Sequence, residues 1–429
     1  MRYLITTVCI AFFLTTLTGQ SKLDRAEFYF SQGDYESAVR TINSNRTLAK
    51  TNPEAALLLA VSYFHLNRLN ESEELLLSLN EDRKSDFPSA WFYLGQLYHA
   101  QHRFADAAVQ YKRYLRTLSN NADERKLTIS YLRMCDNGLR KSFSPDGMVV
   151  ENLGQKVNGK DDEFGPVPSP TGAARVYFSA VRPASPGLAV TEDQSDILYT
   201  ELASTEWNTP VPLHAYLMSP QHELLLDISA DSKELYYFRG PDEVSGEFLV
   251  DTFQTGSIRQ FTTLRLDIPL SPQMGDVTPF FASADLIYFS SSRPGGYGGL
   301  ELYRLVRDRQ GWLPPENLGP EINTPFDETT PFMARDGLTM YFSSNNPEFT
   351  VGGFDVLKTF YQSSMERFSR PFNPGLPLNS AGDDTHFRLA PDTYTAFLSS
   401  DRKDGYGKRD IYIVYFIEPR REMDQVNGQ

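Results

Sequence analysis

Two hydrophobic periods divide the chain. From about Ser21 to Lys141 apolar residues recur at helical spacing, and the pattern itself repeats. Ala26, Ala60 and Gly95 occupy equivalent places, as do Tyr29, Tyr63 and Tyr98. So do Tyr35, Leu69 and Phe104, and then Ala38, Ser72 and Ala107, in steps of 34 or 35 residues. Small residues at fixed places let paired helices approach closely, and aromatic residues fill the gaps between one pair and the next. That pattern predicts a solenoid of helix-turn-helix repeats, closed by a last helix over Arg125 to Arg140.

After Phe143 the apolar runs become short and alternate, with Pro and Gly between them, which predicts strands. Asn152-Leu-Gly-Gln-Lys-Val-Asn158 is followed by Asp162-Glu163. The same spacing holds from Asn317 to Asn323 with Asp327-Glu328, and from Asn373 to Asn379 with Asp383-Asp384. The offsets are 165, three times 55, and 56, so two weaker copies belong in between, near Glu223 and Asp276. Each unit has an acidic opener, a short apolar run and a turn, as at Asp336-Gly337. Then come a second strand such as Tyr341-Phe-Ser-Ser344, a Gly-rich loop, a third strand, and an aromatic residue with Pro three places on. Four short strands per unit, five times over, predict a five-bladed β-propeller. The fifth unit stops at Phe416 without a fourth strand, and Met148–Leu153 is a fourth strand with no unit before it. Together they are expected to latch the ring and remove its open edges.

The third helical copy, with Trp91, Leu94, Gly95, Tyr98, Ala107 and Tyr111, resembles a tetratricopeptide repeat (TPR). The first copy is degenerate, with Lys22 and Arg25 at usually apolar places. The Asp-Gly turn before Met-Tyr-Phe-Ser-Ser resembles the TolB-type, WD40-like propeller repeat of bacterial envelope proteins. The fold class expected is therefore α+β multidomain, an all-α TPR solenoid followed by an all-β propeller. The expected domains are a signal peptide at 1–19, TPR repeats at 20–142, the propeller at 143–417 and a polar tail at 418–429. The TPR resemblance implies a peptide-binding groove lined by the first helix of each pair. Glu27, Phe30, Phe64, Phe92, Gln96 and His99 would face it, or would be core.

Charge and composition narrow the partners. The formal net charge is −14, from 41 Lys and Arg against 55 Asp and Glu, and there is no long basic run. Nucleic acid is not an expected partner. MRYLITTVCIAFFLTTLTG reads as a secretory leader cleaved near Gly19, too short to span a membrane comfortably. Gln20 stands where a lipoprotein would have Cys, so an exported, periplasmic or outer-membrane-associated protein without a lipid anchor is expected. Cys135 is then the one cysteine left, and reads as a small buried helical residue.

The repeated acids are the candidate chemistry. Glu163, Glu223, Asp276, Glu328 and Asp384 recur at one offset, which reads first as a requirement of the fold. The functional alternative is an acidic ring at the propeller channel, binding a cation or a basic peptide. A glycosidase carboxylate pair is a further alternative. No nucleophile elbow, His-Glu-x-x-His or phosphate-binding loop occurs, and no cofactor or metal is expected. His99 and His102 read as surface residues, and His386 as a core or channel-lining residue. The architecture resembles periplasmic TPR–propeller proteins such as the PorE-like component of the type IX secretion and gliding machinery. Such components continue into an OmpA-like domain that does not follow here, so peptidoglycan binding is not expected. The resemblance implies a non-enzymatic scaffold that holds envelope proteins or peptides. The alternative is a glycan-binding or glycan-cleaving propeller.

Overall fold

The computed structural model describes residues 21–417 apart from 46, 82–86, 120–121, 141–146, 173, 183–193, 215–216, 218, 243–244 and 253–262. The leader read at 1–19 and the tail at 418–429 lie outside the described residues. The chain forms two compact units, Met1–Cys135 and Asp136–Gln429.

The first unit is helical. Its helices are α1 (Lys22–Ser31), α2 (Tyr35–Asn43), α3 (Leu48–Thr51), α4 (Pro53–His65), α5 (Leu69–Glu81), α6 (Pro88–Ala100), α7 (Phe104–Leu115) and α8 (Asp123–Arg140), the last crossing the boundary between the units. α1/α2, α4/α5 and α6/α7 are the repeated pairs. The short α3 was not foreseen and sits in the loop after the first pair. α1 opens on a capping box, in which Ser21 accepts the Asp24 N–H and Asp24 accepts the Ser21 N–H. Asp34 and Asn52 cap α2 and α4. Each hairpin turn needs one left-handed residue, and Gly33, Asn67 and His102 supply it, with φ of 76°, 56° and 57°. The N–H groups of Asp34, Arg68 and Arg103 then reach back to the Tyr29, Tyr63 and Tyr98 carbonyls at 2.8–2.9 Å. Ala26, Ala38, Ala60, Ser72 and Ala107 are fully buried where helices cross. At Gly95 a Cβ would lie 2.6 Å from the Tyr111 ring, so α6 and α7 tolerate no side chain there.

The second unit is a five-bladed ring of antiparallel sheets. The inner strands are Glu163–Pro168, His222–Ile228, Asp276–Ser283, Glu328–Met333 and Asp384–Leu389. Second strands follow at Arg175–Arg182, Glu234–Gly240, Leu286–Ser291, Thr339–Ser344 and Thr395–Ser400. Third strands are Gln194–Ala203, Glu247–Thr252, Glu301–Asp308, Asp355–Gln362 and Asp410–Phe416. The outer position is filled by short pieces in blades one to four. In blade five it is filled by Met148–Asn152, which pairs with the third strand from Met148↔Phe416 to Asn152↔Tyr412. The expected latch is therefore present. Each inner strand neighbours the next, and the fifth returns to the first.

The Asn-x-Gly-x-x-x-Asn motif is explained by what it holds. Asn152, Asn317 and Asn373 each accept the N–H of the glycine two residues on. Each also donates to the acid that starts the adjoining third strand, Asp410, Glu301 or Asp355. The second asparagine behaves like a strand neighbour. Asn158, Asn323 and Asn379 accept the N–H of Ile411, Leu302 and Val356 at 2.8 Å and donate to the same residue's carbonyl at 2.9 Å. One side chain thus satisfies two buried backbone groups. Asn158→Ala strands the Ile411 N–H beside the latch, while the Ile411 carbonyl keeps the Leu153 N–H. It should cost about 1–3 kcal/mol, the penalty of one orphaned group. Urea unfolding measures this, and an unchanged midpoint would refute the assignment.

Candidate functional site

The five openers begin the inner strands and are at most 7% exposed. Each takes hydrogen bonds from the loop that leads into it. Glu163 accepts the Gly159 N–H at 3.0 Å. Glu223 accepts from the Ser219 hydroxyl and, at 2.9 Å, from the Arg239 guanidinium. Asp276 accepts the Ser271 N–H at 2.8 Å, the Ser291 hydroxyl at 2.6 Å and Arg293 at 2.6 Å. Glu328 accepts the Thr324 N–H at 2.9 Å, the Thr324 hydroxyl at 2.6 Å and the Ser344 hydroxyl at 3.1 Å. Asp384 accepts the Ser380 N–H at 2.6 Å, its hydroxyl at 2.8 Å and Arg402 at 2.6 Å. Burial pushes Glu163, Glu223 and Glu328 up to about 7.

These contacts are those of the structural reading, and they differ from the alternative of an acidic ring in the channel. Of the five openers only Asp276 borders the cavity where the inner strands meet. A buried carboxylate needs donors, and its own loop supplies them more cheaply than a shared ion would. The arginines on Glu223, Asp276 and Asp384 were not anticipated. A signal for two of them was present, since Arg293 and Arg402 each stand two residues after the second strand's last serine, Ser291 and Ser400.

The cavity measures about 230 Å³ and is bordered by all five inner strands. Its shape follows from a bulge shared by those strands. Their ladders slip by one residue between Phe164 and Val167, Leu225 and Asp227, Val277 and Phe280, Thr329 and Phe332, and Thr385 and Arg388. Gly165, Thr278, Thr330 and His386, two places after their openers, are left-handed there, with φ of 65°, 49°, 50° and 55°. Serines of the second strands clasp the bulge of the next blade. Ser179 accepts the Leu225 N–H at 2.8 Å, and Ser399 accepts the Gly165 N–H at 3.0 Å. Blade two has Phe238 at that serine position, and its ring borders the cavity instead.

Four places after the opener the repeat breaks. Val167, Phe280 and Phe332 are apolar there, whereas blade two has Asp227 and blade five has Arg388. The two charges meet, with Arg388 Nη1 3.9 Å from Asp227 Oδ2. The guanidinium also lies over the Phe280 and Phe332 rings, 4.5 and 5.5 Å from their centroids. Asp227 accepts the Ile228 N–H at 2.9 Å and the Phe281 N–H at 3.3 Å. Burial raises Asp227, an effect that Arg388 opposes, and lowers Arg388. Burial, with Arg409 and Arg388 nearby, pushes His386 down to about 3, so its imidazole is neutral. Sequence reading gave His386 as a core or channel-lining residue but passed over Asp227 and Arg388. Comparing equivalent places blade by blade would have exposed them.

The groove residues of the helical unit divide. Phe30 and Phe64 are half-buried on α1 and α4. Beside them Tyr35 stacks on His65 at 4.3 Å, and the Phe30 ring meets both edge-on. Glu27 is also half-buried, and burial together with Asp24 and Glu54 raises it. On α6 the core alternative applies, because α8 covers that face. Phe92 packs on Tyr131, and Gln96 donates to the Tyr131 hydroxyl at 3.1 Å. His99, expected at the surface or groove, is 3% exposed, with Nδ1 3.6 Å from Cys135 Sγ. No fourth repeat follows α7, so the closing helix buries what such a repeat would have covered. Burial pushes the Cys135 thiol up to about 12, which leaves it unreactive.

A family model described as "Anaphase-promoting complex, cyclosome, subunit 3" matches residues 21–79, within the TPR-like unit. No curated protein matches the chain. Among solved structures the chain is similar to prolyl oligopeptidase B from Galerina marginata, at 9% identity and TM-score 0.32, covering 55% of this chain and 30% of that one. It is also similar to TolB from Acinetobacter baumannii, at 10% identity and TM-score 0.34, covering 70% and 72%. A third is the catalytic domain of a Coprinopsis cinerea GH62 α-L-arabinofuranosidase, at 9% identity and TM-score 0.33, covering 64% and 98%. The chain spans about a third of the length of the prolyl oligopeptidases. Likenesses this weak carry no activity across, and the propeller stands on the strand pairing described above.

The raised openers make stability depend on pH. In the folded state Glu328 holds a proton that the unfolded chain releases near the ordinary value of 4.5. Its contribution is therefore present below that value and lost as pH rises through about 7. Glu163 and Glu223 share the direction. Urea unfolding should show stability falling from about pH 5 to about pH 8, and Glu328→Gln should flatten part of that fall. Parallel profiles for the two proteins would refute the assignment.

Proposed function

We propose that this chain is a non-enzymatic scaffold of the bacterial cell envelope. In this reading the TPR groove holds one protein or peptide and a propeller face holds another, as in type IX secretion or envelope assembly. The observation that carries it is the fate of the repeated carboxylates. Each is consumed in fastening its own blade. The acids first considered for acid–base or cation chemistry are thereby accounted for as architecture. Repeat surfaces are what both units offer to partners. Export is read from the leader, and among the described residues no helix is long and apolar enough to cross a membrane.

The groove has a definite chemistry on α1 and α4. Half-exposed Phe30 and Phe64 offer apolar contact, and the crowded carboxylates of Asp24, Glu27 and Glu54 favour a cation. A partner segment with apolar and basic side chains fits this surface.

Crosslinked capture from the native envelope, with full-length protein as bait, tests the reading. Wild type should recover a defined partner. Glu27→Lys, which relieves the carboxylate crowding, should fold normally and reduce recovery by on the order of tenfold, as expected for about 1.4 kcal/mol of lost binding. Equal recovery by wild type and variant would overturn the groove assignment. Release of reducing sugar from a glycan, abolished by Glu328→Gln in a folded protein, would overturn the non-enzymatic reading.

A further inference from the structure

Blade one holds its opener with fewer donors than the other blades. Across the inner ladders the five openers face Ala180, Arg239, Ser291, Ser344 and Ser400. Arg239, Ser291 and Ser344 donate to the carboxylate opposite, and in blade five Arg402 does so from two places on. Ala180 has no side-chain donor. Four places before the openers of blades two, four and five stand Ser219, Thr324 and Ser380, whose hydroxyls also donate. Blade one has Gly159 there. Glu163 keeps one bond, from the Gly159 N–H to Oε2 at 3.0 Å. Among the described residues no donor reaches Oε1.

Both missing hydroxyls open onto one cavity. It measures about 410 Å³ and is lined by Gly159, Glu163 and Ala180, with Val157, Val181 and Leu198 on its apolar side. A Cβ at Gly159 would lie 3.3 Å from Glu163 Oε1. The unpaired oxygen thus lies beside the space that a side chain fills in blades two, four and five. Glu163 is 7% exposed, and a carboxylate so buried calls for more than one donor. Its surroundings are acidic. Asp410 and Asp162 lie near it, held by Asn152 and Arg409, and Asp161 lines the same cavity. Lys156, also on the wall, is tied to Glu206 at 2.6 Å.

We propose that this cavity takes the guanidinium of an arginine side chain from a partner polypeptide, paired with Glu163 Oε1 and with its methylene stem against Val157, Val181 and Leu198. Three other openers are answered by a guanidinium of their own blade, from Arg239, Arg293 and Arg402 at 2.6–2.9 Å. The same group arriving from outside completes Glu163 in the same way. A guanidinium is more weakly hydrated than an ammonium, so it suits a buried carboxylate better. A neutral ligand would leave the acidic surroundings unanswered. A free amino acid would bring its own carboxylate to a wall whose lysine is already paired. The volume falls within the usual range for ligand sites and holds an arginine side chain. The proposal rests on the scaffold reading only in naming a polypeptide as the source, and small probes test the cation site by itself.

Titration calorimetry of the full chain at about pH 8 is the test. The probes are Nα-acetyl-L-argininamide, its neutral isostere Nα-acetyl-L-citrullinamide, and free L-arginine. The arginine amide should bind saturably, and the other two on the order of tenfold more weakly. At about pH 6 the arginine amide should bind several-fold more weakly, because Glu163, raised to about 7 by burial and then by Asp410, Asp162 and Asp161, must give up its proton to form the pair. Glu163→Gln should remove that pH dependence and weaken binding by on the order of tenfold or more. Ala180→Ser returns the hydroxyl that blades three and four have. It should weaken binding several-fold in a folded protein, which keeps the test decisive if Glu163→Gln fails to fold. The chain's own Arg182 stands two places beyond Ala180, as Arg293 and Arg402 stand beyond Ser291 and Ser400. Binding gained only in Arg182→Ala would make that residue the occupant and overturn the proposal. So would absence of binding at about tens of millimolar, equal binding of the citrulline amide or tighter binding of free L-arginine. Unchanged affinity in a folded Glu163→Gln or in Ala180→Ser would overturn it as well.

Discussion

The propeller depends on one non-covalent closure. Met148–Asn152 enters from the start of the ring and pairs with Asp410–Phe416 from its end. Without that pairing blade five would have three strands, and its third strand would present unpaired backbone. The closure is reinforced by the device used at other joints. Asn158 satisfies both backbone groups of Ile411, as Asn323 does for Leu302 and Asn379 for Val356. The joint between the propeller's two ends is thus built like two of the joints inside it. The meeting of five inner strands, and the cavity they border, follow from that closure.

Repetition explains why the acids serve as fasteners. A residue that recurs at one offset does the same local work in each blade, here fastening the entering loop. Departures from the repeat carry the individuality of the ring. Four places after the opener, three blades have Val or Phe, one has Asp227 and one has Arg388. Two places after it stand Gly165, Leu225, Thr278, Thr330 and His386. Asp227 and Arg388 belong to blades on either side of blade one, and their side chains close on each other across the ring.

The bulge accounts for what sequence reading misjudged. In a regular strand the opener and the residue four places on share a face, because side chains alternate every residue. One extra residue reverses that parity. The opener then keeps to its loop, while the position four places on meets its counterparts from other blades. Strand periodicity cannot reveal this, since the left-handed backbone that marks the bulge is carried by Gly165, Thr278, Thr330 and His386. Only the first is a residue type that announces it. The helical unit has a matching case. His99 keeps good groove spacing on α6 and is buried nonetheless, because α8 lies over it.

Period, turn chemistry and strand count were legible because each is set by neighbours in sequence. The helix pairs, the five blades and the strand that latches them all follow from local spacing. Tertiary structure alone decided which distant side chains meet. Asp227 and Arg388 stand 161 residues apart, and ring closure brings them together. Burial decided the rest, for it turned five recurring carboxylates into fasteners and set a buried arginine against a buried aspartate. Charge and burial act through space, and no pattern along the chain records them until the ring is closed.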